Sequence, residues 1–192
     1  KNNLKMIGLA FYNYHDVHQS FPLPKEADGK GLSWRVHLLP FLDESALYGE
    51  FKLDEPWDSE HNKALIELIP DVYSSPAVTE PGKTRIVGFS GEGAPFGGET
   101  GIKIAQVKDG TTNTILVVEA APEKAVIWTK PEDLKFDSKD PKAALGELPA
   151  EQFLALFVDG SVRTLSKAID SETFKALITI GGGEVIDETK LE

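Results

Sequence analysis

His15 and His18 are the first residues in the chain whose type and spacing could do chemistry. They lie three apart in a segment patterned as a helix, Lys1 to Pro24 (KNNLKMIGLAFYNYHDVHQSFPLP). Two imidazoles at that spacing can share a metal ion. A metal site needs a third ligand, and Asp16 points away from that face. The same two residues read more simply as the edge of a packing stripe. No metal is expected, and His15 and His18 stand only as candidate ligands. Asp159, next to Gly160, is a further candidate for a catalytic or calcium-binding role. The simpler reading is a hairpin turn of type I′, in which both central residues take positive φ. Asp109–Gly110 reads as a turn in the same way. Neither matches an EF-hand loop, which needs oxygen ligands at several alternating positions.

Trp34, Trp57 and Trp128 could line a sugar site, but their apolar neighbours favour core positions. Trp128 is kept as a candidate ligand-binding residue. The glycine-rich stretch from Gly88 to Gly101 lacks a Gly-Lys-Ser/Thr ending and is a poor phosphate loop. No Gly-x-Ser-x-Gly elbow occurs. His37 and His61 sit beside carboxylates, as chance arranges in so acidic a chain. With no cysteine, disulfides, thiolate metal sites and cysteine nucleophiles are excluded. The expectation is a non-enzymatic protein with no catalytic residue and no cofactor.

The elements that would position these residues follow from periodicity. Leu4, Ile7, Phe11, Tyr14 and His18 recur at spacings of three and four, widened by Ala10 and Val17, so one helix is expected over 2–20. Pro22 and Pro24 stop it. Lys1 is not an initiator Met, and no capping box precedes the helix, so a longer natural chain is expected upstream. Ala27–Gly31 is a turn-rich loop. A helical and loop region follows over 33–70. Ser33 can cap a short helix, Pro40 interrupts it, and Asp43 or Glu44 restarts it. Asp58 or Ser59 can cap another, with Ala64, Leu65, Leu68 and Ile69 as its buried face.

Strands dominate 84–166. Arg85–Phe89 and Thr111–Glu119 are strand-like, with Ala125–Trp128 as a partner strand. The long loop Ser90–Gly101 reads as functional or mobile. Thr129–Leu148 reads as an irregular excursion with at most a helical turn. Gln152–Leu165 is the clearest hairpin, and Ser171 can cap a last helix over 171–179, stopped by Gly181–Gly183. Helices first and strands later argue for α+β with an antiparallel sheet.

A length of 192 residues suits one domain. A hydrophobic share of 41% and a charged share of 27% are those of a water-soluble globule. The net charge of −11, with no basic cluster, argues against nucleic acid and anionic membrane as partners. No apolar run is long enough to span a bilayer, so any membrane attachment would come from a segment before Lys1.

Several stretches together resemble a bacterial family of unknown function abundant in planctomycetes. They are NNLKMIGLAFYNYHDVHQSFP, SWRVHLLPFLDESALYGEF, EPWDSEHN, DGTTNTILVVE and VDGSVRTLS, in the family's order over roughly residues 2–183. Members carry a prepilin-like cleavage and methylation segment at the N-terminus. The resemblance implies a pilin-like fold, with a long N-terminal helix packed on an antiparallel sheet, and a location in the cell envelope or outside. It implies a pilin- or pseudopilin-like subunit whose partners are other pilin-like subunits, met through that helix. Because some pseudopilins hold calcium in C-terminal loops, it also raises a structural calcium site. The alternative function is an extracellular solute- or carbohydrate-binding module. Two departures stand out. The family's His, separated by nine residues from the C-terminal Asp-Gly, is replaced by Pro149. Ser75 lies in the stretch where many members have Cys.

Overall fold

Leu4, Ile7, Ala10 and Phe11 have no exposed surface. Their spacing makes α1 (Asn2–His18) bury one face, as the periodicity predicts. The computed structural model describes residues 1–22, 31–184 and 186. In it, α1 lies across the sheet strand β6 (Gln152–Phe157). Gly8 marks the closest approach. A Cβ there would stand 2.8 Å from Leu156 Cδ1 and 3.5 Å from the Gly160 backbone.

α1 ends two residues earlier than expected. Gln19 turns left-handed at φ 60°, and its N–H donates to the His15 carbonyl at 2.7 Å. That αL residue closes the helix before Pro22 can. Val17 and His18 do not join the buried stripe. Val17 is 66% exposed, because the packed surface runs out before the last turn. The expected loop over Ala27–Gly31 lies outside the described residues up to position 30.

The helical region forms in short pieces. α2 (Trp34–His37) is capped by Ser33, whose Oγ accepts from the Arg35 N–H. Pro40 converts the chain to a 3-10 turn over Leu39–Phe41. α3 (Ser45–Glu50) then restarts after Glu44. Ser59 caps α4 (Glu60–Lys63). The expected buried face of α4 forms in part: Leu65 and Ile69 are half-buried against the core. The helix gives way to a 3-10 turn at Ile66–Leu68, Ala64 is exposed, and Leu68 is 54% exposed. Asn62 is the buried residue instead. Its side chain bonds the Lys52 N–H and the carbonyls of Lys52, Glu55 and Pro56, holding the preceding bend.

Five strands make the main sheet: β2 (Ile86–Ser90), β3 (Ile115–Glu119), β5 (Leu134–Lys135), β6 and β7 (Val162–Ser166), in the order β5-β2-β3-β6-β7. All pairings are antiparallel except β2–β5, which is parallel, so the sheet is mixed. The expectation for 125–128 is corrected. β4 (Val126–Ile127) pairs with β1 (Lys83–Thr84), away from β3. β3 is shorter than expected, beginning at Ile115. A register shift between Ile115 and Val117 turns both Leu116 and Val117 toward the α1 side.

The sheet is buried on both faces, which is why β2 and β3 read as continuous apolar runs. One core joins α1 and the short helices to Ile86, Val117, Leu156 and Val158. The other joins Val87, Phe89, Val118 and Phe157 to α5 (Ser171–Ile178). Asp170 caps α5, in place of Ser171, by accepting from the Thr173 N–H. α5 stops at Ile178, before the triple glycine. The N–H groups of Gly182 and Gly183 instead donate to the two carboxylate oxygens of Asp109 at 2.7 and 2.8 Å. The architecture is α+β.

Candidate functional site

The sequence-nominated residues do not converge. His18 stacks on Tyr14, with ring centroids 4.0 Å apart. His15 sits edge-on to Phe21 at 5.5 Å, and its Nε2 is buried without a hydrogen-bond partner among the described residues. No group of three or more His, Asp or Glu placed to hold a metal ion occurs among the described residues.

Asp159 lies in the β6–β7 hairpin, but the turn is not type I′. Gly160 has φ 83°, and Asp159 is not among the residues of positive φ. The Gly160 N–H donates to the Phe157 carbonyl, and the Phe157 N–H donates to the Ser161 carbonyl. This is a three-residue loop with glycine at the bulge. Asp159 Oδ1 accepts from the Ser161 N–H at 2.8 Å, which is a turn-forming role. Its charge, after the larger effect of burial, helps push the Tyr12 hydroxyl's pKa up.

Trp128 is fully buried. Its indole N–H donates to the Ile66 carbonyl at 2.8 Å, and its ring stacks on Tyr73. No face of it is open to a ligand. Trp57 is half-buried beneath Lys130 Nζ, 5.6 Å from the ring centre. Trp34 is buried against Phe11 and Phe96. Phe96 brings the glycine-rich stretch over 90–101 into the core, which anchors that loop.

The polar centre of the molecule is one that periodicity does not nominate. Ser33 starts α2 beside the sheet, and one residue after Trp34 this places Arg35 inside the core with no exposed surface. Its guanidinium donates to the Ile86 carbonyl at 3.0 Å, to Ser33 Oγ at 2.9 Å, to the Glu132 carbonyl at 3.4 Å and to Asp133 Oδ1 at 3.0 Å. Asp133 Oδ1 also accepts from the Trp34 indole at 3.2 Å and from the Gly88 N–H at 2.7 Å. Burial pushes the Arg35 pKa down, and Asp133 opposes that shift. Guanidinium has so high an intrinsic pKa that the group stays charged. Beside it, the Tyr73 hydroxyl donates to the Arg35 carbonyl at 3.0 Å, and burial pushes its pKa up. The signal in the sequence was an arginine between the apolar Trp34 and Val36. The distant carboxylate carried none.

Asp133 also borders a cleft of about 960 Å³. Glu99, Glu123, Glu132, Asp137 and Asp140 line it, with Lys124 and Lys135 as the cations. Glu123 is held below the usual carboxylate range, first by the Glu147 N–H that it accepts. None of the three tryptophans lines the cleft.

The outer face of α1 is the other unusual surface. Met6, Leu9 and Val17 are 50%, 63% and 66% exposed. At about 3.6 residues per turn Leu9 lies opposite Leu4, Ile7 and Phe11, Met6 lies on the flank, and Val17 falls on the side of buried Ala10, past the end of the packed stripe. Among the described residues, no helix is long and apolar enough to cross a membrane.

Fold and site together define an α+β domain whose long first helix is seated on a mixed sheet and whose polar centre is a buried brace. Residues 1–77 match a family described as a protein of unknown function (DUF1559). No curated protein and no solved structure matches the chain.

Proposed function

We propose that this chain is the globular head of a pilin- or pseudopilin-like subunit of the cell envelope, a non-enzymatic assembly or secretion component. The observation that carries the reading is the two-faced α1. Its inner face is fully buried on the sheet, while Met6, Leu9 and Val17 present apolar side chains outward. That side also carries the exposed Lys5, Asn13 and Asp16, and a helix that packs on neighbouring subunits as well as on its own domain keeps apolar residues such as Met6 and Leu9 among them. The family match over residues 1–77 takes in all of α1. The partners in this reading are other pilin-like subunits met through α1.

The chain has no cysteine, so a single introduced thiol reports cleanly. With Leu9→Cys in the complete gene product, expressed in its own host, a bismaleimide should yield a ladder of cross-linked species in the envelope fraction. A cross-link-free product in the cytoplasmic fraction would overturn the proposal.

A further inference from the structure

Two arginines are folded away from solvent, and they are partnered very differently. Arg35 donates to four acceptors. Arg85, between β1 and β2, has a side chain only 13% exposed, and its Nε is buried with no hydrogen-bond partner among the described residues. The Glu119 carboxylate stands 3.7 Å from its Nη2, beyond hydrogen-bonding distance. A guanidinium cannot shed its proton, so a largely buried one with unmet donors calls for an acceptor.

The surroundings show where that acceptor would sit. Arg85 and Glu119 together line two depressions, of about 500 and 410 Å³. Ser75 and Pro76 border the first, and Pro149, Gln152, Leu154 and Thr164 border the second. Lys1, Asn2 and Asn3 also line the first; the walls of the second away from the ion pair are neutral polar and apolar, as the main chain of an extended peptide requires. We propose that this groove binds the C-terminal carboxylate of a peptide, with Arg85 as its receptor.

The guanidinium fork matches a planar carboxylate through two parallel N–H···O bonds. The peptide would continue past Gln152 and Thr164. A singly charged carboxylate fits better than a phosphate dianion, because Glu119 stands beside Arg85 and the whole chain carries −11. This inference is independent of the assembly reading, since the depression beside Gln152 and Thr164 is formed without any residue of α1.

The test uses the whole chain and N-acetyl-alanyl-alanine with a free carboxylate, followed by the side-chain N–H correlations of Arg35, Arg85 and Arg163. The Arg85 resonance should shift saturably while that of Arg35 stays in place. The same dipeptide as its C-terminal amide should bind at least tenfold more weakly. Arg85→Gln should lose the binding, and Glu119→Gln, which removes the neighbouring negative charge, should strengthen it severalfold. Equal binding of acid and amide, or no Arg85 shift at millimolar dipeptide, overturns the proposal. Inorganic phosphate that displaces the dipeptide and binds more tightly would overturn the peptide assignment in favour of a phosphate site.

Discussion

Arg35 Nη2 stands 3.0 Å from Asp133 Oδ1, and 98 residues of chain separate the two. The pair fastens α2 to the segment entering β5. Through the Gly88 N–H and the Ile86 carbonyl, it also ties both to β2. Removing one partner leaves the other charge buried and uncompensated. Asp133→Ala should therefore cost about 3–5 kcal/mol in urea unfolding. The double replacement Arg35→Met with Asp133→Leu should recover much of that loss. If Asp133→Ala unfolds at the unaltered urea midpoint, the brace has no structural weight.

Gly8 in mid-helix is explained by proximity to Leu156. In an open helix, Gly→Ala gains up to about 1 kcal/mol. Here the new methyl would meet Leu156 Cδ1 at 2.8 Å, so Gly8→Ala should instead destabilise by about 1–3 kcal/mol. A stabilised variant would mean that α1 rides farther from the sheet than described.

Trp128 and Trp57 should part company. Trp128→Ala empties a fully buried site and strands the Ile66 carbonyl, for a loss of about 3–5 kcal/mol. Trp57→Ala, at a half-buried loop position, should cost about 1 kcal/mol or less. Similar thermal shifts for the two would contradict the core assignment of Trp128.

Glu123 makes stability fall on the acid side. Its folded pKa is depressed, chiefly by the Glu147 N–H, below its ordinary value of 4.5. Its contribution is therefore present above that value and is lost as pH falls through the lower folded pKa. Glu123→Gln should lower stability at neutral pH and flatten the decline below about pH 4.5. Unfolding midpoints measured from pH 7 to pH 3 check this, and an unchanged acid slope would rule it out.

Leu9 should separate stability from assembly. At 63% exposure, Leu9→Lys should leave unfolding within about 0.5 kcal/mol of the parent chain. The proposed subunit contact through α1 should nevertheless be lost, read as disappearance of the cross-linked ladder when a thiol is placed at Met6. A ladder that persists in the Leu9→Lys background would place the contact elsewhere.

The amino-acid sequence by itself determined the features that depend on local periodicity and local chemistry. Leu4, Ile7 and Phe11 mark the buried side of α1, Ser33 and Ser59 cap their helices, and the apolar runs around Asp159–Gly160 make a hairpin. Each is set within a turn or two of chain. Tertiary structure decided what neighbours in sequence cannot encode. Two-residue strands have no period of their own, so β4 and β5 exist only because β1 and β2 lie ready to pair with them. Val17 falls outside the core because the buried stripe of α1 stops at Phe11, and Asp159 keeps negative φ because the hairpin closes through a glycine bulge. Arg35 was visible as a charge among apolar residues. That Asp133 answers it, while Arg85 Nε is left without a hydrogen-bond partner among the described residues, follows only from how distant segments meet at the sheet.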